Sequence, residues 1–395
     1  MLIQNKSYNN DLQALRGLSI LFVVYYHIVD MVPGLKASMG FFGNFFHGAY
    51  GVDLFFVISG YVITRSVYRN IDHIGRVNLR DGFRFWTRRV FRTIPPALIW
   101  LGFVLAIVLA TGWFGSDVNN IAHAKAAFLQ YANIFLISCI DNGTCGIFGY
   151  YWTLSTEEQF YLLLPLLMLL LTKRQLAWMM LLGGLILTIL FSEVLALANL
   201  KFNLLHYLPI RVDGLMLGVA IALFQGTNFF QYTQNYFLKN PTVTLGVIFL
   251  MHLLLWTRGT PWGIPIIGAY IMNGLIAAVI VYIGVMDKGY SVFSPVVRPI
   301  LSFFGNISFS LYLSHIIIIL FIQNYLYTHW NLLPIDIGYT IYLPLLLLLL
   351  LIAVSYGSYR FIELPFQQIG RNLSNVSSKN HQQQNSNSIH NITGA

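Results

Sequence analysis

Two side chains interrupt the apolar run LQALRGLSILFVVYYH at residues 12–27: Arg16 and His27. A guanidinium and an imidazole are both costly in hydrocarbon, so each needs a cavity, a partner or the interface. Eleven residues of α-helix make about three turns, roughly 16 Å, so the two groups share a face at different depths. His27 can take a proton near neutral pH, unless it is a satisfied core histidine. Arg16 supplies a fixed positive charge below it, unless it snorkels to phospholipid. GVDLFFVISGY, residues 51–61, sets Asp53 shallow on the same side as His27. A carboxylate there either orients the imidazole and raises its basicity or caps a helix. In YYWTLSTEEQFY, residues 150–161, Glu157 and Tyr161 are four apart on one helical face, with Glu158 turned about 100° away. A carboxyl in apolar surroundings exchanges protons near neutrality. Tyr150 and Trp152 nearby suit an interfacial aromatic belt.

A second chemistry lies in residues 64–96, which hold Arg65, Arg69, Arg76, Arg80, Arg84, Arg88, Arg89 and Arg92 against only Asp72 and Asp81. Guanidinium forks match phosphates bidentately. Arg89 and Arg92, three apart on one face, with Arg88 beside them, suit a polyphosphorylated ligand such as a coenzyme A thioester, a nucleotide sugar or a polyprenyl phosphate. Attraction of lipid headgroups is the plainer account of the same charges. There is no Walker-type glycine loop, which argues against nucleotide hydrolysis as fuel. No Cys and His cluster has metal-ligand spacing, so no metal is expected. Cys139 and Cys145 in CIDNGTC either pair in an oxidising compartment or stay as thiols. Lesser groups are Arg211 and Asp213, read as a local charge network. His315 in GNISFSLYLSH (305–315) is placed mid-membrane beside Ser308 and Ser310. Arg360 and Glu363 are spaced to pair at i, i+3. His206, His252 and Glu193 read as structural or interfacial.

The elements that must position these groups follow from composition. The 395 residues are 57% hydrophobic and 9% charged, with mean hydropathy +0.66, against about 25% charge in a soluble domain. The apolar stretches run to about 18–22 residues, enough to cross about 30 Å of hydrocarbon. The expectation is an all-α polytopic transmembrane helical bundle of about ten spans, near 12–32, 48–66, 94–113, 150–171, 175–196, 208–225, 242–256, 266–286, 300–324 and 336–356. Residues 121–138, broken by His123 and Lys125, read as a helix at the outer surface. The first helix lacks a cleavage site and is expected to remain as a span. With the N-terminus inside, cytoplasmic segments collect 18 of the 23 Lys and Arg, so both termini are placed in the cytoplasm. The net charge of +9 then belongs to one face, and no nucleic-acid partner is implied. Residues 1–371 form the membrane domain. The Asn-, Gln- and Ser-rich stretch 372–395 reads as a disordered tail, with no appended soluble domain.

Taken in order, Arg16–x10–His27, GVDLFFVISGY, the R-x-x-R of Arg89 and Arg92, YWTLSTEEQFY and GNISFSLYLSH make the chain, over about residues 8–370, resemble the acyltransferase-3 family of bacterial inner-membrane proteins. The resemblance implies a ten-helix core, a cytoplasmic acyl-CoA donor and an acceptor hydroxyl on the outer side. It makes His27 the catalytic histidine and Arg16, Asp53, Arg89, Arg92 and Glu157 motif positions. The expected activity is O-acylation of an extracytoplasmic carbohydrate, such as lipopolysaccharide O-antigen or another surface polysaccharide. The acyl group expected on family grounds is acetyl, with acetyl-CoA a co-substrate and no tightly bound cofactor. In this reading Arg16, Arg88, Arg89 and Arg92 hold the donor. His27 is general base or transient acyl carrier, Asp53 orients it, and Glu157 moves a proton or positions the acceptor. Tyr161, Trp152 and His315 line the acceptor pocket. Some relatives carry a second, hydrolase-like domain, whose step would here fall to another protein. The competing class is a transporter or flippase of an anionic or lipid-linked substrate, since intramembrane His, Asp and Glu also build proton relays. The charged groups crowd into the first four spans, however, without the repeated halves such proteins show.

Overall fold

The computed structural model describes residues 9–32, 34–40, 48–68, 77–197, 211–256, 266–292, 296–330 and 337–374, without the side chains of 49, 187–197, 256, 266–272, 326–330 and 337–341. Arg69, Asp72, Arg76, Lys201, His206, Arg258, the Glu193 side chain and residues 375–395 lie outside what it describes. The described residues are helical, with no strand among them. The order is α1 (Asn10–Met31), a single turn at Leu35–Ser38, α2 (Gly51–Tyr68), α3 (Leu79–Thr111), α4 (Asp117–Phe128), α5 (Ala132–Asn142), α6 (Tyr151–Leu170) and α7 (Lys173–Leu197). It continues with α8 (Asp213–Phe224), α9 (Asn228–Lys239), α10 (Pro241–Trp256), α11 (Ile266–Gly284), α12 (Val297–Asn306), α13 (Ser308–Trp330) and α14 (Ile337–Ser358).

Four stretches are long and apolar enough to cross a membrane: α1, α3, residues 308–325 and residues 342–374. A fifth is α8 with α9, if that 95° bend is counted within one span. The ten spans expected from hydropathy are therefore not all reached among the described residues. α4 and α5, of 12 and 11 residues, are each too short to cross. They break at Gln130, whose φ is 58°, and form a layer outside the long helices.

Two boundaries differ from the hydropathy reading, and both matter to the site. α3 begins at Leu79, not near 94. Asn78 and Asp81 form a reciprocal capping box there, which satisfies free N–H groups at the start. The helix then continues through Pro95 and Pro96. Proline ends a hydropathy window and removes a backbone donor, but here it leaves the axis continuous. Arg89 and Arg92 are thus ten or more residues, at least about 15 Å, inside a helix. At the other end, α14 runs on through a five-residue π turn, Tyr359–Glu363, and then as helix to Ser374. The tail boundary at 372 is therefore too early: Ser374 is buried and its hydroxyl accepts from Arg88 Nε at 2.7 Å.

Glycine lets the helices meet at backbone distance. A methyl on Gly17 would lie 1.8 Å from the Leu301 carbonyl oxygen, and one on Gly305 2.0 Å from that of Gln13. The α1–α12 pair is therefore closed tight, and Gln13 also donates to Asn306 Oδ1 at 2.9 Å. Gly60 and Gly218 do the same for α2 and α8, against Leu215 and Val57. Small residues permit such approach where water supplies no driving force between helices.

Asn9 caps α1, accepting from Leu12 N at 2.8 Å while donating to the carbonyls of Gly284 and Val285. Asp11, fully buried, accepts from Gly289 N through both oxygens and from Arg298 Nη1 at 3.1 Å. In the outer layer Cys139 and Cys145 are joined as a disulfide. There His123 is also buried, its Nδ1 donating to Gly146 O at 3.0 Å. Burial pulls its pKa down to about 4, against a smaller upward effect of that hydrogen bond.

Candidate active site

α1, α2, α3, α6 and α13 line a partly open cavity of about 80 Å³. Its polar wall is Arg16, Ser59, Arg89, Arg92, Thr93, Thr153, Glu157, Ser308 and Tyr312, with Phe55, Phe56, Val62 and Phe309 among its apolar members. Polar groups converging in an apolar recess are what a ligand site requires.

Arg89 is the hub. Its Nη2 donates to the Tyr161 hydroxyl at 2.7 Å and lies 3.7 Å from Glu157 Oε2. The guanidinium carbon sits 4.2 Å from the centre of the Tyr161 ring. Tyr161 in turn donates to Glu157 Oε2 at 2.9 Å, and Ser59 donates to Oε1 at 3.1 Å. Glu157 is therefore held from three helices. Glu158, turned to the side, takes the Thr93 hydroxyl at 2.6 Å and also faces Arg89. Arg89 Nε has no hydrogen-bond partner among the described groups. Arg16 does not snorkel: its Nη2 donates to Ser308 Oγ at 3.2 Å on the cavity wall. Arg16, Arg89, Arg92 and Glu157, dispersed in sequence, thus share one recess.

His27 is half-buried and lies outside the set that lines the cavity. Its Nδ1 is 2.9 Å from the Val23 carbonyl oxygen. A carbonyl can only accept, so the proton sits on Nδ1 and the lone pair of the neutral ring is on Nε2, where a general base needs it. The His315 ring is 4.9 Å from it, centroid to centroid. His315 is fully buried and donates from Nδ1 to Tyr312 O at 2.6 Å. Tyr312, whose ring lies 5.5 Å from that of His315, lines the cavity.

Several expectations change. Asp53, expected to orient His27, is ion-paired to Arg211, which also lies 3.8 Å from Asp213. Arg88 is outside the cavity wall. It bonds to Ser374 and borders a smaller recess of about 40 Å³ with Arg84 and Asp81. Tyr161 is buried behind the wall and supports Arg89 and Glu157 in place of meeting an acceptor. Trp152 does not line the cavity itself but packs edge-on behind Phe56, a lining residue, 6.1 Å between centres. His315 sits one layer back, against His27. Arg360 is exposed and Glu363 buried, so the i, i+3 pair does not form. Ser59, Thr93, Thr153 and Tyr312 escaped the sequence reading because single hydroxyl residues on apolar helices carry no spacing signal. Among the described residues no group of three or more His, Cys, Asp or Glu is placed to hold a metal.

No solved structure matches the chain. A protein of Staphylococcus aureus strain MSSA476, provisionally named O-acetyltransferase SAS0844, is 26% identical over 381 residues. The O-acetyltransferase OatA of strain NCTC 8325 is 27% identical over 382 residues. Each alignment covers 92% of this chain and 58% of the relative, so the chain spans little more than half the length of these proteins. The acyltransferase-3 family model, described as an acyltransferase domain, matches residues 9–360. A family model that spans most of the chain shows the family: the chain belongs to the acyltransferase-3 family.

Proposed function

We propose that this protein is an integral-membrane O-acyltransferase that takes an acetyl group from cytoplasmic acetyl-CoA and delivers it to a hydroxyl of a carbohydrate on the outer side. The observation that carries the reading is the single recess whose wall holds Arg16, Arg89 and Arg92 together with Glu157. Three guanidiniums in a low-dielectric wall suit the phosphates of a coenzyme A donor. The names of the staphylococcal relatives favour acetyl as the acyl group and oxygen as the acceptor atom. The bundle has about ten spans with both termini in the cytoplasm, which the Lys and Arg distribution supports. The Cys139–Cys145 disulfide supports an oxidising outer compartment for the α5 end.

In this reading His27 Nε2 takes the proton of the acceptor hydroxyl. The oxygen attacks the thioester carbonyl carbon, the carbon–sulfur bond breaks, and the proton passes to the departing thiolate. Thioester to oxygen ester runs without an external energy source. Arg89, clamped by Tyr161 and Glu157, presents a fixed charge, and Glu157 orients it. Asp53 acts at a distance, through Arg211.

The test uses purified protein with labelled acetyl-CoA, together with His27→Ala in cells whose surface glycan is assayed for ester groups by mass spectrometry. Saturable donor binding, and loss of ester in the variant at normal expression, are expected. Wild-type acylation by a folded His27→Ala variant would remove the base from the scheme. Movement of a solute into liposomes without donor would replace the enzyme by a transporter.

A further inference from the structure

Behind the cavity wall lies a carboxylate with no assigned role. Glu363 is 2% exposed. Its Oε2 accepts from Ser310 Oγ at 2.9 Å and its Oε1 from Gln367 Nε2 at 2.9 Å. The positive charges whose fields act on it across the wall are Arg92 of α3 and, more weakly, Arg16 of α1, while its hydrogen bonds go to Ser310 and Gln367. Both guanidiniums line the cavity and Glu363 does not. Ser310 is two residues from Ser308, which holds Arg16.

The backbone supplies an independent sign. Glu363 closes the π turn Tyr359–Glu363 that interrupts an otherwise regular helix. Such wide turns cost hydrogen-bond geometry and concentrate at functional sites. Here the Trp100 indole donates to Ser358 Oγ at 2.8 Å, pinning the start of the turn against α3 two helical turns beyond Arg92. The widened turn then directs Glu363 inward, while Arg360 stays exposed.

We propose that Glu363 is a positioning residue of the donor site, holding Arg92 and Arg16 in the cavity wall so that they meet the donor's phosphates already oriented. This rests on the acyl-CoA reading above. Long cationic side chains lose much rotamer freedom when fixed, and a carboxylate behind the wall removes that cost before the ligand arrives.

The experiment measures donor KM and kcat with acetyl-CoA for Glu363→Gln, Glu363→Asp, Ser310→Ala and Arg92→Ala, alone and with Glu363→Gln, alongside melting in detergent. Expected for Glu363→Gln is a rise of about tenfold in donor KM with kcat within about twofold. Glu363→Asp should recover part of the loss and Ser310→Ala should give a rise of about threefold. The Arg92→Ala and Glu363→Gln effects on KM should be non-additive. A lowered melting point with unchanged KM would make Glu363 purely structural and overturn the proposal. A lowered KM would make it a simple competitor of the donor and also overturn it. If Glu363→Gln does not fold, unchanged KM in Ser310→Ala overturns it. If Arg92→Ala leaves donor KM unchanged, the acyl-CoA reading itself fails. If Arg92→Ala raises KM while Glu363→Gln does not, only this inference fails.

Discussion

Two of the buried arginine–carboxylate clusters in the bundle are built on opposite plans. At the start of α1, Asp11 is closed off. Both its oxygens take the Gly289 N–H, Arg298 adds a 3.1 Å contact, and no part of the side chain is exposed. In the cavity, Arg89 and Glu157 stay 13% and 16% exposed, 3.7 Å apart, with the Arg89 Nε left unpartnered. Asp11 has no exposed surface left to meet a ligand, and with Arg298, which is 28% exposed and also lies 3.6 Å from Asp287, it ties α1 to the 285–289 loop and α12. The second keeps donors and charge in hand on the wall of a recess. Burial and ion pairing alone therefore do not mark a site; unspent hydrogen-bonding capacity facing a cavity does.

The largest effect should come from breaking the closed cluster. Asp11→Ala takes the buried acceptor from the Gly289 N–H and one of the two carboxylate partners of Arg298, and should cost about 3 kcal/mol of stability, read as a large drop in melting midpoint, with donor KM unchanged in the protein that folds. An unchanged midpoint would end the distinction between the two clusters.

Next is the outer layer, whose buried histidine is neutral. His123 has a pKa of about 4 in the fold, against about 6.5 when unfolded. Its stabilisation is complete above pH 6.5 and is lost as pH falls from there through 4, by up to about 3 kcal/mol. Melting followed between pH 7 and 4 should show this slope, and His123→Gln, which keeps a donor for Gly146 O, should flatten it. A slope that survives the substitution would assign it to other groups.

The open cluster should respond in activity instead. Arg89→Lys keeps the charge but loses the planar fork over Tyr161. It should lower kcat/KM about 30-fold, near 2 kcal/mol, with little change in melting. A matching fall in stability and a normal rate would place Arg89 with Asp11 as structural. The smallest effect is expected at Arg360. Arg360→Ala should stay within about 0.5 kcal/mol and leave activity intact, because Glu363 finds its partners elsewhere. A loss comparable to that of Glu363→Gln would restore the i, i+3 pair.

The helical class, the family and the residue types of the recess were legible from the order of residues alone. Arg16, Arg89, Arg92 and Glu157 stood out because charge on an apolar helix needs a reason, and all four meet in one cavity. Hydropathy misjudged depth. A proline pair hid the first four turns of α3, and a π turn hid the continuation of α14, since both are backbone events that apolar windows do not register. Partner choice was also beyond it. Asp53 goes to Arg211, Arg88 to Ser374 and Glu363 to the Arg92 side, because which groups meet depends on helix rotation and offset. Those are fixed by contacts such as Gly17 on Leu301 and Gly218 on Val57. Composition and period determine that a segment is a buried helix and what it carries. Which way each charge points is decided when the helices pack, because a few degrees of rotation exchange one partner for another at nearly constant burial of apolar surface.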